Sequence, residues 1–112
     1  MIYLFVYGTL KQGHRNNHYL EDQEFICEAE TKPLYRLFDN GSFPMMIEDG
    51  DEGYAVSGEI WEVDEEMIDE IDNHEVLYHR KRIKVEGFKG PVWAYIYWGD
   101  LQQSEECYGM WG

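Results

Sequence analysis

Residues 2–7 run Ile, Tyr, Leu, Phe, Val, Tyr. Both alternating faces are apolar, so the run predicts a strand buried on two sides. Gly8 ends it. Residues 81–86 alternate instead. Ile83 and Val85 are expected to face inward, and Arg82, Lys84 and Glu86 outward. Residues 25–31 and 34–38 predict two strands divided by Pro33, and Asn40-Gly41 marks a turn. Residues 54–63 predict a further strand, with Gly58 as a bulge or a close backbone approach. Gly87 and Gly90 flank a turn before a last aromatic strand over residues 92–98, and residues 16–20 suit a short helical turn. One segment, residues 64–75, predicts a full helix. Asp64 is a good N-cap, and Glu65 and Glu66 lie in the first turn, where acids complement the helix dipole. Many strands and one principal helix predict an α+β fold: a small, mostly antiparallel β-barrel forming a single domain over residues 1–112.

Steps of about 100° around the helix put Ile71 at about 40° and Ile68 at about 100° from Met67, which defines an apolar stripe. Glu65, Glu66, Asp69, Glu70 and Asp72 fall outside it. Glu75 falls at about 80°, inside the stripe. A carboxylate there is costly unless paired or neutral, and desolvation raises its pKa. Residues 37–79 hold no Lys or Arg and 14 of the 23 acids, which pushes the same way. Such a group suits a general base near neutral pH. Two alternatives stand beside this reading. The helix ends near Asn73 and the wheel does not apply, or Glu75 forms a structural ion pair with Arg80 or Arg82.

The 112 residues are 44% hydrophobic and 16% aromatic, enough for a packed core without disulfide or metal staples. Net charge is −14, from 23 acidic and 9 basic residues. This disfavours nucleic acid and anionic membrane surfaces as partners and favours cationic or amine-bearing ligands. Cys27 and Cys107 form no C-x-x-C motif and read as ordinary thiols. The start of the chain lacks a basic leader and a cleavage site, and no apolar run approaches the ~20 residues of a membrane helix. A cytoplasmic protein is expected.

The segment Tyr7-Gly8-Thr9-Leu10-Lys11-Gln12-Gly13 takes a strand into a glycine turn, a geometry that can present backbone N–H groups to an anion or oxyanion. Gly8 and Gly13 have phosphate-loop spacing, but His14-Arg15 follows where Lys and Ser or Thr are required. His14 and His18 are spaced i, i+4 without the Glu of a zinc protease motif, and His74 and His79 are isolated. No Gly-x-Ser-x-Gly elbow occurs. No metal or cofactor is expected.

Taken together, these segments resemble the γ-glutamylcyclotransferase-like family. Val6-Tyr7-Gly8-Thr9-Leu10-Lys11-Gln12-Gly13, followed by Asn16 or Asn17, is similar to its N-terminal signature. Phe43-Pro44-Met45-Met46-Ile47 resembles its aromatic-Pro-hydrophobic strand, and Val56-Ser57-Gly58-Glu59-Ile60-Trp61-Glu62-Val63 its Gly-Glu strand. Ile71-Asp72-Asn73-His74-Glu75, then Tyr78-His79-Arg80, resembles its Leu-Asp-x-x-Glu and Tyr-x-Arg pattern. The tail, residues 104–112, departs from the family pattern, which puts a pocket-covering segment in question.

The resemblance implies cyclisation of a γ-glutamyl group to 5-oxoproline with release of an amine, γ-glutamylamines being favoured over γ-glutamyl amino acids. It implies Glu75 as the catalytic acid/base and Tyr7, Gly8, Thr9 and Leu10 as the binders of the γ-glutamyl group, with Tyr78 beside them. The acidic balance adds an expectation of a lysine-like leaving amine. Competing readings are a γ-glutamyl-removing deacylase, a non-catalytic binding domain and an acidic decoy for a basic protein.

Overall fold

In the computed structural model, which describes residues 1–101 and 103–112, β1 (Ile2–Val6) lies at the centre of a five-stranded sheet. β2 (Glu24–Glu30), β3 (Tyr35–Asp39), β4 (Pro44–Glu48) and β5 (Ser57–Val63) follow. Then come α1 (Glu65–His74), β6 (Tyr78–Ile83), β7 (Val92–Tyr97) and the short β8 (Glu105–Glu106). The large sheet has the order β2-β5-β1-β7-β6, and a second sheet has the order β4-β3-β8. Among the described residues, only the β1–β7 strand pairing is parallel.

The barrel of the sequence reading is loosely this five-stranded sheet, whose two edge strands approach each other at one end, accompanied by the three-stranded sheet. Beyond β2 and β6, Thr31 bridges Val85, Lys32 N–H donates to Lys84 O at 2.9 Å, and Glu86 N–H donates to Glu30 O at 2.9 Å. These bonds draw the two edges of the large sheet together at one end, which leaves less of the edge open to foreign pairing.

β1 is buried on both faces, as its composition predicts. Phe5, with Tyr7 just beyond the strand, points into a core shared with Leu37, Met46, Val56, Ile60 and Ile96. Leu4 and Val6 point the other way, against Leu20, Trp61 and the helix residues Ile68 and Ile71. Each fully buried aliphatic side chain contributes about 1.5–3 kcal/mol. This second cluster thus anchors α1 on the sheet. The Asp64 side chain accepts from Met67 N–H at 2.9 Å and caps the helix as expected.

Several boundaries differ from the sequence reading. β6 starts at Tyr78 rather than residue 81, because Tyr78 pairs with Tyr97 at the start of the β6–β7 ladder. Ile83 and Val85 are both buried, so the alternation was read in the correct phase. The bulge lies on β2, between Phe25 and Cys27, and not at Gly58. Gly58 is instead a close approach: a Cβ there would stand 2.4 Å from Val6 O and 2.6 Å from Phe5 Cζ. Cys27 and Cys107 are both free thiols. No helix among the described residues is long and apolar enough to cross a membrane.

Candidate active site

A cavity of about 220 Å³ opens where the end of β1, the end of α1 and the start of β4 converge. All six residues singled out from the sequence line it: Tyr7, Gly8, Thr9, Leu10, Glu75 and Tyr78.

The glycine loop forms one wall. Lys11 N–H donates to Gly8 O at 3.0 Å, making the turn. Both asparagines of the signature then hold it. Asn16 donates from its backbone to Thr9 O and from Nδ2 to Thr9 Oγ1, each at 2.9 Å. Asn17 Nδ2 donates to Leu10 O at 2.8 Å. None of the loop hydrogen bonds is donated by the N–H of Gly8, Thr9 or Leu10. Gly8 runs beneath Pro44, where a Cβ would sit 2.2 Å from Pro44 Cγ, so any larger residue forces the loop or Pro44 to shift. Behind the loop, the Lys11 ammonium donates to Trp111 O at 2.7 Å. The tail thus braces the loop from the rear, and none of its residues lines the cavity.

Glu75 forms the opposite wall. It is the C-cap of α1, and its N–H still donates to Ile71 O at 2.9 Å. That last helical bond keeps its Cα on the helical track, so the projection toward the apolar stripe holds one residue beyond the helix. Its carboxyl takes part in no ion pair and no hydrogen bond among the described residues. Burial pushes its pKa up to about 7. The acidic surroundings expected to assist do not: among the described residues Glu75 is the one carboxylate lining the cavity.

The ion pair that the sequence left open goes elsewhere. Arg80 Nε and Nη2 each donate to the Asp72 carboxylate at 3.1 Å, and the guanidinium lies 5.4 Å from the Trp93 ring centroid. Burial alone would raise the Asp72 pKa. The hydrogen bonds from Arg80 and Tyr95, with the Arg80 charge, outweigh it and hold Asp72 low.

Three tyrosines surround Glu75, and each donates its hydroxyl to another group. Tyr7 O–H donates to Tyr95 O at 2.5 Å, Tyr78 O–H to Pro44 O at 2.6 Å, and Tyr95 O–H to Asp72 Oδ1 at 2.8 Å. The side chains of Tyr7 and Tyr78 therefore shape and tie the walls. Burial, followed by neighbouring negative charge that includes Glu75, raises all three phenol pKa values, so these hydroxyls stay neutral donors.

Comparison with known proteins fits this geometry. The model of the family described as "Gamma-glutamyl cyclotransferase, AIG2-like" matches residues 4–112. The chain belongs to that family. As a family member it is 38% identical to the gamma-glutamylaminecyclotransferase A of Danio rerio, over 80% of this chain and 62% of that protein. It is 33% identical to the gamma-glutamylaminecyclotransferase of Rattus norvegicus, over 87% of this chain and 77% of that one. Among solved structures, an AIG2-like protein from Mus musculus superposes with a TM-score of 0.76 at 30% identity, covering 86% of this chain and 76% of that one.

The sequence reading of this family member missed several wall residues. Phe43 and Pro44 were noted only as a strand motif, yet they roof the glycine loop. Tyr95, within the aromatic strand, reaches the cavity from β7. His74 Nδ1 lies 3.4 Å from Tyr19 Oη and its Nε2 lies 3.5 Å from Asn16 Nδ2, so it joins the helix end to the loop. Arg15, read only as a mismatch to a phosphate loop, stands at the rim.

Proposed function

We propose that this single-domain protein is a γ-glutamyl cyclotransferase that uses Glu75 as its proton carrier and the Gly8–Leu10 loop as its anion grip. One observation carries the reading: a carboxyl with a pKa near 7 and no partner among the described residues faces, across a small cavity, a loop whose N–H groups take no part in the loop hydrogen bonds. Family membership supports the same chemistry.

A γ-glutamyl amide carries its own nucleophile. The α-nitrogen attacks the γ-carbonyl carbon, a ring C–N bond forms, and the exocyclic C–N bond breaks. Intramolecularity already supplies much of the advantage, with effective molarities of about 10⁵–10⁸ M when the geometry is right. The protein has to fold the substrate and move protons. At neutral pH the α-amine is largely an ammonium and cannot attack. Glu75 carboxylate takes one proton from that ammonium, which frees the amine to attack, and delivers it to the departing nitrogen as the exocyclic C–N bond breaks. The same carboxylate then takes the second proton from the ring nitrogen and passes it to the released amine, which leaves as an ammonium. A pKa near the working pH makes both transfers accessible, a role worth about 10²–10⁴-fold. The N–H groups of Gly8, Thr9 and Leu10 hold the α-carboxylate or the oxyanion on the γ-carbon.

The reaction involves no change of oxidation state, and Glu75 with the loop N–H groups supplies its proton transfer and charge stabilisation. The substrate is a small γ-glutamyl compound. Incubation with γ-glutamyl amides and detection of 5-oxoproline tests the reading. Product is expected from wild type and almost none from Glu75→Gln; absence of product from any γ-glutamyl amide would overturn it.

A further inference from the structure

The rim of the cavity carries a cation that the proposed chemistry does not use. Arg15 is exposed, lines the cavity, and donates from Nη2 to Ser42 O at 2.6 Å. It joins none of the ion pairs among the described residues. The other two arginines with hydrogen-bonded side chains are each clasped by carboxylates, Arg36 by Glu106 and Asp49, and Arg80 by Asp72. In a chain of net charge −14, an arginine at a cavity mouth with no acidic partner stands out. The bond to Ser42 uses one N–H of a fork that carries five, and that fork matches a carboxylate.

Burial shows which half of a substrate it would meet. Gly8, Thr9 and Leu10 are buried, and Glu75 is half-buried beside them. Val76 and Leu77, on the same turn as Glu75, are 71% and 45% exposed. The γ-glutamyl half has to reach inward to the loop and Glu75. The departing amine is then left at the rim, among Arg15, Val76 and Leu77. The many acids elsewhere do not line this cavity, and at 0.15 M salt charges more than about 8 Å away are largely screened.

We propose that Arg15 is a specificity-determining residue that pairs with a carboxylate on the departing amine, so that γ-glutamyl amino acids are preferred over γ-glutamyl derivatives of neutral or cationic amines. This rests on the cyclotransferase reading and narrows its substrate. It reverses the expectation of a lysine-like leaving group drawn from overall charge. Val76 and Leu77 offer apolar surface to an aliphatic amino-acid side chain.

The test is kcat/KM for three compounds that share the γ-glutamyl half: γ-glutamylalanine, its C-terminal amide, and γ-glutamyl-1,4-diaminobutane. Each is measured with wild type, Arg15→Gln and Arg15→Lys. Wild type should favour γ-glutamylalanine over its amide on the order of tenfold, the size of one charge-assisted contact at an exposed site. Arg15→Gln should bring that ratio to about one, with Arg15→Lys between. The assignment is overturned if the ratio is the same in wild type and Arg15→Gln. It is equally overturned if Arg15→Gln lowers all three by one factor, which would place Arg15 on the γ-glutamyl half or in support of the loop. In both cases the cyclotransferase reading stands. No 5-oxoproline from any of the three would overturn that reading and this one with it.

Discussion

Arg80 closes on Asp72 through two hydrogen bonds of 3.1 Å, and so the cation nearest in sequence to Glu75 neutralises a different carboxylate. Asp72 and Glu75 are three residues apart near the end of α1. Asp72 gets Arg80 and the Tyr95 hydroxyl. Glu75 gets neither, and burial alone sets its pKa near 7. Two carboxyls a turn apart are thus given opposite tasks by their partners: one holds structure, the other is available to carry protons.

Replacing Asp72 by Asn should disturb this division. Arg80 loses its anion and becomes available to Glu75, whose pKa then falls. The acid limb of the kcat/KM profile, expected near pH 7 in wild type, should move to lower pH. Asp72 is partly exposed, so the stability cost should be modest, about 1 kcal/mol. A pH–rate profile checks it: an unmoved limb would mean that Arg80 does not redirect.

The raised pKa of Glu75 also makes a stability prediction. Its ordinary value is 4.5 and its folded value about 7. Below pH 4.5 the carboxyl is neutral folded and unfolded, and burial carries no charge penalty. Between pH 4.5 and 7 the folded state binds the extra proton, so stability falls as pH rises. Above 7 the penalty is complete, at most about 3 kcal/mol and less because the group is partly exposed. Glu75→Gln should therefore be more stable than wild type in urea at pH 8 and nearly equal to it at pH 4. A variant less stable at both values would show that Glu75 is a structural residue.

The strand 2–7, the helix stripe and the nomination of Glu75 were legible because each depends on local periodicity. The glycine loop stood out through the resemblance of residues 6–13, with Asn16 or Asn17, to a family motif, and not through its glycine spacing. The Asp72–Arg80 pair was not legible. It depends on how β6 turns back beside α1, and Arg80, Arg82 and Asp72 offer several pairings until that turn is known. The engagement of Tyr7, Tyr78 and Tyr95 hydroxyls was hidden for the same reason, since their partners lie 88, 34 and 23 residues away. The place of the tail was not legible either. It pairs β8 with β3 and braces Lys11, and takes no part in the cavity.

Gly8 and Pro44 form a second testable pair. Gly8→Ala puts a Cβ 2.2 Å from Pro44 Cγ and 2.9 Å from Cδ, so the loop or the roof has to move. A loss of stability of about 1–3 kcal/mol and a large loss of turnover are expected. Pro44→Ala removes the two clashing atoms and leaves Cβ at 3.6 Å, ordinary contact. The double variant should recover much of the stability lost by Gly8→Ala, as urea melts of the full cycle would show. Strict additivity would contradict the contact.

Tyr7→Phe tests whether Tyr7 holds the wall or the substrate. Its hydroxyl is buried and donates to Tyr95 O. Removal leaves that carbonyl without this donor, at a cost of about 1–3 kcal/mol. If the hydroxyl ties the wall only, kcat/KM of the folded variant should stay within a few-fold of wild type. A hundredfold fall in kcat/KM with unchanged stability would make Tyr7 a substrate contact.

The role of Glu75 is tested most directly by the rate of 5-oxoproline formation in Glu75→Gln, with the fold verified by circular dichroism. Gln keeps the size of the side chain and removes the proton acceptor. A fall of about 10²–10⁴-fold in kcat is expected. A variant that cyclises γ-glutamyl amides within a few-fold of the wild-type rate would contradict Glu75 as the proton carrier.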